Sequence, residues 1–398
     1  MTLEAQATSL RQELAKEAYT INYTLAKNPE ISSQELKSAA LICDVLEAHG
    51  MTVTRELAGL PTAFKAAVVR SSQPQGRLAI LCEYDALPEI GHACGHCASG
   101  SSSVLAALTL HALAAQLAEN GNDLGVDVDI IGTPDEEAAG GKVDLVKAGV
   151  FDGYDFAMMV HMAGVETRAN ADFLALDDYR VAFHGKPAHA AGEPWNGINA
   201  LNGAQLALQA LDMLRQQVRP ETRIGYYIVK GGSASNIIPD YAEIEVCVRH
   251  TERAYLDTVV ARVMKCLEGA ALATGTTHTV TQFGQKYDNM RWNETGTAII
   301  EEVMDSLSIP YVTGHPTEIG SSDIGNVSYV CPAFHPELRL KGDDKVCHTK
   351  EFAAAMEKPT IETTINEASD MIIHTILRLA QHPEELAAIK KEFMAQQK

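Results

Sequence analysis

Apolar positions along the chain follow two rhythms. The first fifty residues hold two stretches of helical spacing. The second of them is entered through Ser32-Ser33-Gln34-Glu35, which has the spacing of a capping box, and is stopped by Gly50. Short runs rich in apolar and β-branched residues come next: TVTREL, FKAAVV and RLAILCEYD, the last ending near Asp85. SVLAALTLHALAAQLAEN then repeats apolar residues at helical spacing. GVDVDIIG reads as a buried strand ending at TPDEEAAGG, and FAMMVHM as another ending at His161. Strands that alternate with helices in this way predict an α/β domain built on a sheet.

Between Asp177 and Asp288 the rhythm changes. LDDYRVAFHG reads as a strand, GINALNGAQLALQALDMLRQQV as a helix, RIGYYIVKGG and YAEIEVCVRH as two strands, ERAYLDTVVARVMKCLEGAALA as a helix and THTVTQFGQKYD as a last strand. That order is β-α-β-β-α-β, a split βαβ module able to bury its own core. The expected organisation is therefore residues 1–176 as a first segment of one domain, 177–288 as an inserted module, and 289–398 as the second segment. The chain shows no internal repeat and no low-complexity tract.

Composition narrows the partners. At 398 residues the chain exceeds one ordinary hydrophobic core. Its 52 acidic and 32 basic side chains leave a net charge of −20, which repels phosphate backbones and anionic lipid surfaces. Nucleic acid and membrane are therefore not expected partners. No run approaches the roughly 20 apolar residues of a bilayer span, and MTLEAQATSLRQELAKEAYT lacks the apolar core of a secretory signal. The eight cysteines are too dispersed for a disulfide scaffold. A cytoplasmic protein with reduced thiols is expected.

The chemistry concentrates first at Gly91–Cys97, G-H-A-C-G-H-C. Cys94 and Cys97 have the spacing of a redox C-x-x-C, and a helix comes next that would depress a thiol pKa. Cys94 and His96 equally suit a metal. A zinc deaminase would place Pro where Ala93 stands, and a zinc knuckle would need a second close ligand pair, which does not occur. Other candidate ligands fall near predicted strand ends: Glu136-Glu137 after GVDVDIIG and His161 after FAMMVHM, with His348 in VCHTKEF. All lie outside the inserted module. Adjacent glutamates cannot both point at one spot, so one suits a metal and the other a general base.

EYDALP, GHACGH, GTPDEE, a strand ending in His, HGKPAHAA, NIIPD, GSSDIGN and a late His occur in that order from Glu83 to His348. Together they resemble the metal-dependent amidohydrolases that include hippurate hydrolase, plant auxin-conjugate hydrolases and aminobenzoyl-glutamate hydrolase. The resemblance implies an α/β fold: a dinuclear-metal exopeptidase-like catalytic domain, its sheet flanked by helices, with the β-α-β-β-α-β insert as a lid and dimerisation domain. It implies that Cys94, His96, Glu137, His161 and His348 bind two divalent ions, zinc first, with manganese, cobalt or nickel as alternatives. Glu136 takes the place of the general base and Asp85 that of a carboxylate orienting a ligand. Glu83 stands where related exopeptidases have a metal-binding His.

In the insert, His189 matches a histidine that steadies the oxyanion, commonly that of the partner subunit in a homodimer. Asn236 and Arg249 match a pair that grips the substrate's free carboxylate, with a strand-end surface arginine as the alternative for Arg249. Ser321, in Gly320-Ser321-Ser322, is expected to complete the substrate pocket or to form a tight turn. Cys97 departs from the family's usual Asn or Asp, which points to altered metal affinity and an oxidisable thiol beside the site. The implied activity is hydrolysis of the amide bond in an N-acyl amino acid, small dipeptide or aminobenzoyl-glutamate-like conjugate with a free carboxylate. A thiol-disulfide oxidoreductase using Cys94 and Cys97, or a non-catalytic dimeric binding protein of the same fold, stands as the alternative.

Overall fold

The computed structural model describes residues 2–316, 319–342 and 345–397. The chain divides into two compact units, Met1–Asp172 with Met290–Glu318 and Asn326–Lys398, and Phe173–Asn289 with Ile319–Gly325.

In chain order, the first unit opens with α1 (Leu3–Lys27), α2 (Leu36–Ala48), β1 (Val53–Arg55), β2 (Phe64–Val69), β3 (Arg77–Cys82), α3 (His96–Glu119), β4 (Asp127–Gly132), α4 (Gly141–Lys147), β5 (Phe156–Met158) and β6 (His161–Ala163). The second unit holds β7 (Ala175–His184), α5 (Ala200–Arg215), β8 (Arg223–Lys230), β9 (Tyr241–His250), α6 (Arg253–Thr274) and β10 (Thr277–Gln282). Beyond it come α7 (Glu294–Ser306), the short α8 (Ile324–Val327), β11 (Ala333–Phe334), β12 (Glu337–Arg339), α9 (Lys350–Ala355), α10 (Ile361–Gln381) and α11 (Pro383–Gln396).

The central sheet of the first unit has the order β1-β2-β4-β3-β5-β11. Its β1-β2 and β2-β4 pairs are antiparallel, whereas β4, β3, β5 and β11 run parallel. Strands β3 and β4 are buried at nearly every position, as continuous apolar runs in a covered parallel sheet should be. Helix α3 lies against β3 and β2 and is packed over by α1 and α10. Its first half is buried on every side, from His96 through Leu110, so its apolar pattern is not one-faced as the helical spacing of its sequence suggests. By length and composition α3 would suffice to cross a membrane, but most of its apolar window is covered by these neighbours. Small residues allow the close approach: a Cβ on Gly100 would meet the carbonyl oxygen of Glu83 at 2.2 Å.

The second unit is the β-α-β-β-α-β module, an antiparallel sheet of order β10-β7-β9-β8. Strand β9 alternates without exception, turning Ala242, Ile244, Val246 and Val248 into a core with Val259, Val263 and Leu267 of α6. Its other face carries Glu243, Glu245, Cys247 and Arg249.

Three local expectations fail. The capping box does not form: the Ncap of α2 is Glu35, without a side-chain cap bond. The run FAMMVHM breaks after Met158, and His161 opens β6, which pairs with β12 in a separate two-stranded sheet. The segment Ile319–Gly325, expected in the last catalytic segment, clusters with the insert, where Leu174 N–H donates to Gly320 O at 2.8 Å.

Candidate metal centre

Strands β3, β4 and β5 lie side by side in parallel, so the loops leaving their carboxyl ends face one crevice, the usual ligand position of such a sheet. The loop after β3 carries Glu83 and Asp85 and runs on to Cys94 and His96. That after β4 carries Glu136 and Glu137, and the short link after β5 leads to His161. Gly95 stands between two of these side chains with φ +83, and a Cβ there would meet Met162 Cβ at 2.7 Å. Only glycine fits that junction, and it lets His96 start α3 while Cys94 faces the crevice.

Among the described residues, potential ligand atoms converge in three overlapping sets, each within 4.8 Å: Cys94, His96 and His161; Cys94, Glu137 and His348; and His96, Glu136 and Glu137. The Cys94 Sγ lies 3.6 Å from His161 Nε2 and 3.5 Å from His348 Nε2. His348 Nε2 is 3.9 Å from Glu137 Oε2. His348 holds a left-handed backbone, φ 63, and its N–H donates to Ala93 O at 2.8 Å, which ties it to the stretch of chain leading into Cys94. A non-glycine residue there stores strain that the surrounding bonds must hold.

Asp85 organises the set from behind. It is buried, its Oδ1 accepts from His96 Nδ1 at 2.7 Å, and its Oδ2 accepts from Ser32 Oγ at 2.8 Å and from Glu137 N–H at 3.0 Å. With the proton on Nδ1, the Nε2 of His96 presents a lone pair forward. Glu83 Oε2 is 3.4 Å from that Nε2, and its Oε1 accepts from Lys142 Nζ at 2.5 Å, both side chains fully buried. Burial opposes a charged Glu83, yet Lys142 and then His96 bring it down to about 2. Burial likewise presses the His96 pKa down, and the Glu83 and Asp85 carboxylates overcome this and hold it well above its usual range.

A field that retains a proton on a fully buried imidazole is a field for a cation. His96 Nε2 and Glu137 Oε1 are buried without a hydrogen-bond partner among the described residues. One thiol, three imidazoles and a carboxylate form a donor set suited to zinc and its neighbours. The residues present fit a divalent metal centre.

The thiol-disulfide alternative fails on the same geometry. Both cysteines are free, and Cys97 is 0% exposed inside α3, where burial pushes its thiol up to about 12. Burial raises the Cys94 thiol well above its usual value too. Neither is the low-pKa attacking thiol that exchange requires. Nor is Cys97 an oxidisable group beside the ligands: it packs as a small apolar side chain in the core cluster.

In the insert, His189 is exposed, and its Nδ1 accepts from the N–H groups of Ala191 and Gly192 at 3.2 and 3.0 Å. An accepting Nδ1 places the proton on Nε2, so the ring presents a neutral donor outward. Asn236 is its neighbour: its carbonyl accepts from Ala190 N–H at 3.0 Å, and His189 bridges Ile237. Arg249 is not. The ladder of β7 with β9 continues past Tyr241 toward Ile237, so Asn236 lies beyond one end of β9 and Arg249 near the other. The eight steps from Tyr241 to Arg249 alone span about 26 Å at strand rise. The expected carboxylate-gripping pair does not meet within one chain. Arg249 instead rests its Nε 3.4 Å from Cys247 Sγ. Ser321 and Ser322 have buried hydroxyls without partners among the described residues.

Sequence reasoning passes over several residues that shape the site. Lys142 carries no motif. His335 stacks on His161 with ring centroids 5.1 Å apart, and burial lowers it to about 4. Ser32, Ser33 and Glu35 read as a helix cap. Lys142, a cation set in the apolar run GGKVDLV, is the one legible signal among them.

Known proteins resemble this chain in sequence and in fold. Residues 176–274 match the M20_dimer model, the peptidase dimerisation domain. The Xaa-Arg dipeptidase of Mus musculus is 32% identical over 401 residues, covering 98% of this chain and 92% of that protein. A p-aminobenzoyl-glutamate hydrolase polypeptide of Escherichia coli is 32% identical over 268 residues, covering 63% of this chain and 54% of that protein. Among solved structures, the aminobenzoyl-glutamate utilization protein of Klebsiella pneumoniae has a TM-score of 0.73 at 19% identity, covering 94% of this chain and 98% of that one. A dinuclear metal binding peptidase of the M20 family from Bacillus subtilis has a TM-score of 0.71 at 20% identity, covering 93% and 99%. With an end-to-end relative of this kind and the fold of the dinuclear-metal peptidases, the chain belongs to the M20 family of enzymes that hydrolyse amide bonds.

Proposed function

We propose that the chain hydrolyses a small amide bearing a free carboxylate, with two divalent ions held by Cys94, His96, Glu137, His161 and His348, zinc being the first candidate. The observation that carries this reading is the convergence of the donor sets, with Cys94 common to two of them. Ions bound there would acidify a water and polarise the scissile carbonyl.

The chain's own residues supply the rest. Glu136, beside the His96 and Glu137 donor atoms, takes the proton from the attacking water and passes it to the leaving amine. Asp85 keeps the His96 proton on Nδ1. The outward Nε2–H of His189 donates to the oxyanion, a contact worth a factor of about 10² to 10³ in rate. Arg249 suits the substrate carboxylate through its planar fork, and the Ser321 hydroxyl is available to the same substrate.

The separation of Arg249 from His189 and Asn236 along β9 supports a homodimer in which these groups reach a given site from different copies. The match to a dimerisation domain and the edge strand β8, with Tyr227 51% and Ile228 43% exposed, support the insert as the interface. The end-to-end likeness to an Xaa-Arg dipeptidase and the net charge of −20 favour dipeptides with a basic carboxy-terminal residue over aminobenzoyl-glutamate or N-acyl conjugates. Free thiols support action in the reducing cytoplasm.

The test is a turnover panel of dipeptides, N-acyl amino acids and aminobenzoyl-glutamate on zinc-reconstituted protein, with Glu136→Gln alongside. Glu136→Gln should lose about 10² to 10⁴ in kcat while binding zinc as the parent does. Turnover that survives a chelator, or a fully active Glu136→Gln, would sink the reading.

A further inference from the structure

The Ser32-Ser33-Gln34-Glu35 segment has the spacing of a capping box and does not cap its helix. Glu35 is 0% exposed, and its side chain turns inward. Its Oε1 accepts from Ser33 N–H at 2.9 Å and from Asp135 N–H at 2.9 Å, and its Oε2 accepts from Thr62 Oγ at 3.2 Å. Ser33 Oγ donates in turn to Asp135 Oδ2. One residue back, Ser32 Oγ donates to Asp85 Oδ2, the oxygen that also receives Glu137 N–H. The segment is anchored by Ala86 N–H donating to Glu30 O at 2.9 Å and by the parallel bridge of Ile31 with Ala86.

Both peptide groups held by Glu35 Oε1 belong to left-handed, non-glycine residues, Ser33 at φ 64 and Asp135 at φ 64. Such a conformation costs roughly 1–3 kcal/mol and persists where surrounding bonds impose it. At Asp135 the bend sits immediately before Glu136 and Glu137, so it sets the direction in which both carboxylates leave the backbone. One buried carboxylate oxygen thus joins a segment near the chain start to the turn that aims the proposed base and a proposed ligand.

We propose that Glu35 is a positioning residue for Glu136 and Glu137, acting with Ser33 through the Asp135 turn. This rests on the assignment of those two glutamates above. The property that matters is the acceptor oxygen: either protonation state of a carboxyl supplies it, and so does the amide of glutamine. Glu35→Ala removes it and leaves the Ser33 N–H and the buried Asp135 N–H without their partner. Glu35→Gln keeps it. Ser33→Gly removes the hydroxyl link, relieves the positive φ, and changes an exposed residue.

The experiment measures zinc affinity by calorimetric titration, kcat and KM on the best substrate of the panel, and thermal midpoint, for full-length wild type, Glu35→Ala, Glu35→Gln, Ser33→Gly and Glu136→Gln. Loss of an outer partner of a metal ligand typically costs 10- to 100-fold. Glu35→Ala is accordingly expected to lower kcat per bound zinc and zinc affinity each by about 10-fold or more, with KM within about twofold. Glu35→Gln should return both to within about threefold of wild type, and Ser33→Gly should lower kcat about threefold without lowering the thermal midpoint. A purely structural role would lower the midpoint and the folded fraction while leaving kcat per bound zinc unchanged, which overturns the proposal. A Glu35→Gln variant as impaired as Glu35→Ala overturns it as well. Should Glu35→Ala fail to fold, an unchanged kcat in Ser33→Gly is decisive against it. A wild type inactive on the whole panel, or an active Glu136→Gln, counts against the reading of the site instead, and the zinc titrations of the Glu35 series still test the positioning of Glu137.

Discussion

Replacing Asp85 by Asn removes one charge and no volume, and the surrounding donors fix the consequence. Three groups converge on the wild-type carboxylate: His96 Nδ1 at 2.7 Å, Ser32 Oγ at 2.8 Å and Glu137 N–H at 3.0 Å. A carboxylate accepts all three. An amide has one accepting oxygen and one donating NH2, and at 1% exposure no solvent mediates a mismatch. With the amide oxygen toward His96, the NH2 confronts the Glu137 peptide N–H; the Ser32 hydroxyl can rotate and accept, but the peptide cannot. With the NH2 toward His96, the imidazole must accept at Nδ1, and its proton moves to Nε2, where the ligand lone pair is needed. Either way one buried N–H group is spoiled, at a cost of roughly 1–3 kcal/mol. At about 1.4 kcal/mol per factor of ten, zinc affinity or kcat/KM should fall by about 10- to 100-fold, the range known for partners that orient metal ligands. Calorimetric zinc titration against a competing chelator, with steady-state kinetics on the same preparations, measures both. An Asp85→Asn protein that binds zinc within about twofold of wild type and turns over normally refutes the orienting role.

Three further outcomes are expected. Lys142→Met leaves the Glu83 carboxylate buried without its cation and should cost roughly 3–5 kcal/mol in urea unfolding; adding Glu83→Gln should recover most of it, and additive losses would mean that the pair is not coupled. Burial, and then the Asp85 charge, raise the Glu35 carboxyl to about 7. Against an unfolded value of about 4.3, the fold takes up a proton between those values, so wild-type stability falls as pH rises through that window, by up to roughly 3 kcal/mol. Glu35→Gln cannot titrate, so its stability should match wild type near pH 4 and exceed it at about pH 8; a pH-independent difference contradicts the cause. Finally, His189→Ala and Arg249→Ala proteins, each inactive alone, should regain activity on subunit exchange if the two groups serve one site from different copies. No recovery in verified mixed dimers would mean that a single copy supplies both groups to a site.

What the sequence disclosed and what it hid differ in a physical way. Cys94, His96, Glu136, Glu137, His161 and His348 were picked out because metal chemistry demands particular donor types and because their motifs follow the order of a known family; the loops after β3 and β4, covered strands that apolar runs such as GVDVDIIG mark, carry four of them. The β-α-β-β-α-β order of the insert was legible for a similar reason, since the strict alternation along β9 is itself the record of one covered face. Residues whose partners are remote in sequence were not. Ser32-Ser33-Gln34-Glu35 satisfies the local pattern of a cap, and only the fold brings Asp135 N–H, a hundred residues on, to the carboxylate that would have closed it. Two donors compete for one carboxylate, and the buried peptide N–H beside the site wins because solvent cannot serve it, whereas an exposed helix start can be hydrated. Likewise FAMMVHM is apolar up to its histidine, so nothing before His161 marks the break that turns it out of the central sheet into β6. Asn236 and Arg249 were close in number, but an extended strand converts sequence separation into distance at about 3.3 Å per residue. An interval that a helix would fold into about 3.6 turns here sets Asn236 beyond one end of β9 and Arg249 near the other.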